Sequence, residues 1–276
     1  MTIYGPDLSN NNGGDMSIAD IAGEGYGFVW LKVSEGDYFQ DATWPVYRDS
    51  AKAAGMLVVG YHYAIAHCDP AAQVECFKGN DGGDVVMIDF EDNSGSIGNY
   101  WALVNAFNAA NITVVLTYIP HWYWGRIGYP DLSQVPGLIS SAYPGGGGYG
   151  SDIYQAHGGD SGSGWQPYGG RSPDLWQFTD QGSVNGRRVD INAFRGTREQ
   201  LAALISGTPL TDTGEDDMTP EQAQQLQEVW DQLRGPNGQG WPQLGQNEQG
   251  QNRTLVDGVA DALDRIIELE QKAAGQ

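Results

Sequence analysis

The run Val85-Val86-Met87-Ile88-Asp89-Phe90-Glu91-Asp92 restricts the fold more than any other stretch of this chain. Four consecutive apolar residues read as a strand covered on both faces, and such strands belong to parallel sheets flanked by helices. The apolar run ends in an acid, an aromatic ring and a second acid. Side chains alternate across a strand, so Asp89 and Glu91 share a face at its C-terminal end. At about 3.3 Å per residue their Cα atoms lie roughly 6.6 Å apart. Carboxylates that close disturb each other's titration, and one tends to keep its proton. A proton donor beside an anion is the pair that glycosidic bond cleavage requires.

Strands of the same kind recur through the first 205 residues. Apolar runs fall at 3–8, 28–33, 57–63, 85–90, 113–118, 138–142, 175–178 and 189–194. Helix-like segments at 17–22, 43–54, 70–78 and 99–110 separate the earlier runs. Strands alternating with helices predict an α/β fold with a parallel sheet, and eight such strands predict a barrel. The later strands lack intervening helices, and residues 143–173 read as a loop of Gly, Ser, Tyr and Asp. The barrel is therefore irregular, with five βα units followed by three strands. The Gly-rich part at 144–150 has no following Gly-Lys-Ser/Thr, so it is not a phosphate loop. It reads as surface loop first and as a lip over a groove second.

Charge and composition narrow the partners. A net charge of −21 argues against nucleic acid and against docking on an anionic membrane. No run approaches the ~20 apolar residues of a membrane span, so no membrane insertion is expected. Forty glycines accompany nine Trp, fourteen Tyr and seven Phe. Rings on Gly-rich loops suit sugar stacking, although core packing is the commoner use of any one ring. The four histidines show no paired ligand spacing, so neither a metal site nor a cofactor is expected. Asp69-Pro70 reads as a helix cap and first turn, which places Cys76 two turns along and about 10 Å from Cys68. That distance predicts two free thiols. The N-terminus has neither a basic stretch nor an apolar core, so no signal peptide is expected and the protein is expected to be made in a cytosol.

A polar linker at 206–218 divides the chain into a barrel at 1–205 and a small α-helical segment at 219–276. Thr219-Pro220-Glu221-Gln222 opens a helix whose Ala223, Leu226, Val229, Trp230 and Leu233 form one apolar stripe. A second helix starts near Thr254, with Val256, Val259, Leu263, Ile266 and Glu270 at nearly two heptads of spacing. Fewer than sixty residues rarely build a self-sufficient core. Homo-oligomerisation through these helices is the first reading, cell-wall binding through Trp230 and Trp241 the second, and a simple docked hairpin the third.

Four acids fall where the predicted strands meet one end of the barrel. Asp7 closes the first strand, Asp89 and Glu91 the fourth, and Asp190 lies in the last. The C-terminal ends of barrel strands form the active face of such folds. Asp7 and Asp190 taken singly also fit turn or cap positions. The Asp-Phe-Glu pair after an apolar strand is not explained in that way.

The chain resembles the glycoside hydrolase family 25 muramidases. The likeness is carried by Tyr-Gly-Pro-Asp-Leu-Ser at 4–9, Phe-Val-Trp-Leu-Lys-Val-Ser-Glu-Gly at 28–36 and Val-Gly-Tyr-His-Tyr-Ala at 59–64. It continues through Val-Met-Ile-Asp-Phe-Glu at 86–91, Leu-Thr-Tyr at 116–118 with Trp122 and Trp124, then Leu-Trp-Gln-Phe and Val-Asp-Ile-Asn between 175 and 192. Each motif is weak alone, whereas the ordered set over residues 1–205 is specific.

The resemblance implies a (β/α)5β3 barrel that hydrolyses peptidoglycan between N-acetylmuramic acid and N-acetylglucosamine. It implies Glu91 as general acid, Asp89 as partner anion, and Asp7 and Asp190 as the acids that tune the pair. The partner anion acts by holding the substrate N-acetyl group or by stabilising an oxocarbenium ion directly. Lys32 and Glu35 are implied at the groove, with a structural ion pair as the other reading of Lys32. Tyr61, Tyr63, Tyr118, Trp122 and Trp176 are implied to line it. His62 reads as a hydrogen-bonded barrel residue. The sixth strand ends Ser-Ser-Ala-Tyr, without the Trp often found there. The C-terminal segment is similar to tail segments of endolysins from phages of actinobacteria. The expected setting is thus a phage endolysin made in the host cytoplasm that reaches the wall after membrane breach. A non-catalytic wall-binding or virion protein on the same barrel is the alternative, and a chitinase-like hydrolase ranks third.

Overall fold

The computed structural model describes residues 2–207, 220–247 and 250–274. The chain divides into two compact units, Met1–Leu210 and Thr211–Gln276.

Among its described residues the first unit contains nine strands. They are β1 (Thr2–Leu8), β2 (Phe28–Glu35), β3 (Phe39–Gln40), β4 (Leu57–Tyr63), β5 (Val85–Asp89), β6 (Thr113–Tyr118), β7 (Leu138–Ser141), β8 (Leu175–Val184) and β9 (Arg187–Arg195). Their order is β1-β9-β8-β7-β6-β5-β4-β2-β3, and β1 also pairs with β2, so eight strands close a barrel and β3 hangs on β2 as a short hairpin. Every pairing from β1–β2 through β7–β8 around the barrel wall is parallel, while β9 runs antiparallel to both of its neighbours. This is an irregular α/β barrel.

The helices of this unit are α1 (Ile18–Gly23), α2 (Trp44–Ala53), α3 (Pro70–Gly79), α4 (Ile97–Ala109), α5 (His121–Arg126), α6 (Gly150–Ala156) and α7 (Arg198–Ile205). Sequence chemistry sets their starts. Ser17 caps α1 through Asp20 N, and Asp69 caps α3 through Ala72 N with Pro70 in its first turn. Cys68 and Cys76 are both free thiols.

Strand alternation splits the core in two. An inner cluster fills the barrel with Phe28, Trp30, Val59, Leu116, Ile139 and Leu175, and α7 adds Leu201 and Ile205 to it. An outer cluster, including Leu31, Val86, Ile88, Phe90 and Trp176, packs with residues of the helices such as Tyr100, Phe107 and Tyr154. Residues two apart on a strand share a face, so the inner positions 30, 59, 87 and 175 place Lys32, Tyr61, Asp89 and Gln177 on the inner side as well.

Three local features differ from the sequence expectation. The stretch 143–173 contains α6 and short turns at Gly159–Ser161 and Ser163–Trp165. Its helix is only seven residues with Ile153 and Tyr154 as its large buried side chains, too short for a periodic signal. The strands expected at 175–178 and 189–194 extend into one long hairpin. Its turn is Asn185-Gly186, both at positive φ of 49° and 73°, as a type I′ turn demands. Asp190 does not sit at a C-terminal strand end. It lies in the first half of β9, and it reaches the same mouth because that strand is reversed.

In the second unit, α8 (Pro220–Arg234) is followed by turns at Pro236–Gly238 and Pro242–Leu244 and then by α9 (Leu255–Ala274). The turns are tied back by Trp241 N to Arg253 O at 2.7 Å and Gly240 N to Arg234 O at 2.8 Å.

Candidate active site

The C-terminal ends of the parallel strands surround a cleft of about 290 Å³. Asp7, Asp89, Glu91 and Asp190 all line it, with Lys32, Tyr61, Tyr63 and Tyr118. Register explains the convergence. Tyr63, Asp89 and Tyr118 are direct neighbours across β4, β5 and β6, and Asp7 pairs with Asp190 across β1 and β9.

Glu91 lies two residues beyond the end of β5 but keeps the strand's alternation. Phe90 is fully buried in the outer cluster, and its N–H donates to Tyr118 O at 2.9 Å. The Glu91 N–H donates to Ser94 Oγ at 3.0 Å, and that hydroxyl donates to Ala64 O at 2.7 Å. The turn after β5 is thereby fixed on both sides, and Glu91 remains half-buried on the cleft wall.

All four acids are pushed upward in pKa. Burial is the largest cause for Asp89, which is held well above its ordinary value, and Glu91 adds to it while Lys32 opposes it. Burial also raises Glu91, with help from the charges of Asp7 and Asp92 and against Lys32. Asp190 is pushed up to about 8 by burial and then by Asp7. Asp7 is raised by burial, against the hydrogen bonds it accepts. Gln177 Nε2 donates to Asp7 Oδ2 at 2.9 Å and Asn192 Nδ2 to the same oxygen at 2.8 Å. Asp89 Oδ1 is buried without a hydrogen-bond partner among the described residues.

Lys32 is the cation of the site. It is 8% exposed, bonds Glu35 Oε2 at 2.5 Å, and lies over the Tyr63 ring at 5.2 Å from its centroid. Glu35 stands outside the cleft lining and holds Lys32 from behind, with Tyr38 OH donating to its other oxygen at 2.8 Å. Burial alone would raise Glu35, but the hydrogen bonds from Lys32 and Tyr38 bring it below its ordinary value. His62 is fully buried between Ser34 Oγ at 2.8 Å and Gln73 Oε1 at 3.1 Å. Burial lowers its pKa to about 4, so it is a neutral structural residue at pH 7.

Two of the expected aromatics lie elsewhere. Trp122 lines an adjoining cavity of about 550 Å³ that shares Tyr143 with the acidic cleft. Trp176 is not at a groove. It is 0% exposed in the outer cluster against Tyr154, Trp165 and Phe178, and its Nε1 donates to Ala142 O at 2.9 Å. Strand parity is the reason, since Trp176 points opposite to its neighbour Gln177. The residues that sequence reasoning missed are Gln177, Asn192 and Tyr143, whose hydroxyl donates to Gln177 Oε1. The alternation of the β8 motif Leu-Trp-Gln-Phe was the available signal for Gln177, because Leu175 is an inner residue.

Two family models match the chain. The one described as glycosyl hydrolases family 25 matches residues 6–143, and the one described as the Rv3766 C-terminal domain matches residues 218–269. Uncharacterized protein Rv3766 of Mycobacterium tuberculosis is 37% identical over 138 residues, which is 48% of this chain and 40% of that protein's length. Among solved structures, the bacterial lysozyme from Streptomyces coelicolor is similar with a TM-score of 0.60 at 23% identity, over 75% of this chain and 98% of that one. The family GH25 lysozyme from Aspergillus fumigatus gives 0.59 at 22%, over 75% of this chain and all of its own, 100%. The catalytic domain of endolysin ply40 from bacteriophage P40 of Listeria monocytogenes gives 0.54 at 19%, over 74% and 97%. These structural likenesses establish the fold.

Proposed function

Because this chain belongs to glycosyl hydrolases family 25, we propose that it is a peptidoglycan hydrolase that cleaves the β-1,4 bond between N-acetylmuramic acid and N-acetylglucosamine. The observation that carries this reading is the Asp89–Glu91 pair, which lines one cleft and whose two members are both raised in pKa. Glu91, at the end of a fixed turn, is the general acid that protonates the leaving oxygen. Asp89 is the partner anion at the sugar, acting through the substrate N-acetyl group or on the oxocarbenium ion directly.

The pKa directions add a step to this scheme. Without substrate, burial raises both Asp89 and Glu91, so the empty cleft disfavours ionising the pair together. An N-acetyl N–H donating to the unpartnered Asp89 Oδ1 stabilises the Asp89 anion. Substrate docking then favours an ionised Asp89 beside a protonated Glu91, where the leaving oxygen needs the proton. The charge of Asp7 helps to raise Glu91. Lys32 limits how far the pair rises. Tyr61, Tyr63 and Tyr118 supply ring walls, and Trp122 with Tyr143 extends them into the neutral adjoining cavity.

The decisive experiment is a turbidity assay on purified cell walls with wild type and Glu91→Gln. Wild type clears the suspension, and the variant is slower by ~10²–10⁴-fold, the usual contribution of a general acid. Equal clearing by both overturns the acid assignment. Wall binding by wild type without clearing replaces the enzyme with a binding protein. Reducing-end analysis of the products identifies the bond.

The biological setting proposed with this activity is host lysis by a phage endolysin, made in the host cytoplasm and acting once the membrane is breached. No described helix is long and apolar enough to cross a membrane. Expression in a susceptible bacterium tests it: lysis follows only when a membrane-permeabilising agent is added, and lysis without the agent refutes it.

A further inference from the structure

The second unit carries an uncovered apolar face. Among the described residues of α8 and α9, ten large apolar side chains are 41 to 65% exposed, Val256, Val259, Leu263, Ile266 and Trp230 among them. At 3.6 residues per turn the apolar positions of α9 spread over half its circumference along a helix of 20 residues, about 30 Å long. Helical hairpins of this size bury too little between their own two helices to stand alone.

We infer that this face is covered by the same face of a second copy of the chain, α9 against α9. Seven of the ten side chains lie on α9 and would form the apolar centre of such an interface, whose standard size is ~800 Å² per partner. The spacing fits, since Val256, Val259, Leu263 and Ile266 follow the 3-4-3 step of helices that pack along their length. Charge sets the direction. The first half of α9 holds Asp257, Asp261 and Asp264 without a base, whereas in the second half Arg265 and Lys272 offset Glu268 and Glu270. Two copies running in opposite directions keep the acidic halves apart and oppose their helix dipoles.

Other occupants fit less well. Glycans are recognised by flat rings and hydrogen-bond donors, whereas this face is aliphatic apart from Trp230. Helices that lie on membranes carry Lys and Arg on their polar side, and α9 is acidic there. An isologous dimer requires only one surface that matches itself.

The test is the mass of the full chain in solution by light scattering across a range of concentrations. The expected result is twice the chain mass of 29.8 kDa. The double variant Val259→Asp/Ile266→Asp is expected to give one chain mass, and Lys52→Glu on the exposed side of α2 the wild-type value. A single-chain mass for wild type at every concentration overturns the inference, as does an assembly larger than two. Because wild type alone decides, failure of the double variant to fold does not blunt the test. Wall clearing by a monomeric wild type would retain the proposed activity while removing the dimer.

Discussion

Asp7 and Asp190 face each other directly across the β1–β9 ladder, two acids in register on antiparallel neighbours. Like charges in that position repel at short range. Gln177 and Asn192 donate to Asp7 and oppose the rise that burial gives it, while Asp190 is pushed up to about 8. The fold tolerates this pair at the mouth of the cleft at a cost to its own stability.

The cost is measurable through Asp190→Asn. The folded pKa of Asp190, about 8, lies above its ordinary 3.8. Between those values the native state keeps a proton that the unfolded chain releases, so stability falls as pH rises through the window and levels off above it. Asparagine removes that penalty and can still donate to Asp7. The variant should melt higher than wild type by on the order of 1–3 kcal/mol at pH 8, discounted for partial exposure, with the gap closing toward pH 4. Thermal denaturation across pH checks this. A gap that does not change with pH would reject it.

Lys32→Met should move the pH–activity profile to higher pH. The Lys32 cation lowers both Asp89 and Glu91, so its loss raises both carboxyls and shifts both limbs the same way. Rates of wall clearing between pH 4 and 9 decide it, and an unshifted profile with reduced amplitude would assign Lys32 a purely structural role.

Gln177→Ala should destabilise the barrel by about 1–3 kcal/mol, the cost of stripping a donor from a buried acceptor. Its hydrogen bond lowers the Asp7 pKa, so the loss is largest where Asp7 is ionised and shrinks as falling pH protonates it. Denaturant titrations at two pH values measure the difference. The opposite trend would show that Gln177 serves the protonated acid.

The two tryptophans should separate cleanly. Trp122→Ala, at a 43% exposed position on the cavity wall, should raise KM several-fold and change stability by less than about 0.5 kcal/mol. Trp176→Ala should cost about 3–5 kcal/mol of stability, as for other buried aromatics. Reversed outcomes would place Trp176 at the substrate.

Most of the barrel was legible because its strands are continuous apolar runs with helices between them. The acidic pair was legible because one strand carried both members on the same face. What escaped was set by partners distant in sequence. The reversal of β9 depends on a two-residue turn, Asn185-Gly186, that a run of apolar residues does not announce. The inward aim of Gln177 and the outward aim of Trp176 depend on which side of β8 meets the barrel interior. The short α5 and α6 have too few turns to show a period. Glu35, expected at the groove, bonds Lys32 and stands outside the cleft lining, a placement that depends on a partner its own position does not announce.

The reversed closing strand also sets when the protein can act. A polypeptide leaving the ribosome carries Asp89 and Glu91 well before it carries β9, and Asp7 waits longer still for Asn192 and Asp190 to arrive beside it. Until the two ends of the barrel sequence meet, there is no enclosed mouth to hold a substrate or to lift the acids' affinity for protons. Chains that end before β9 therefore lack the partners that complete the cleft.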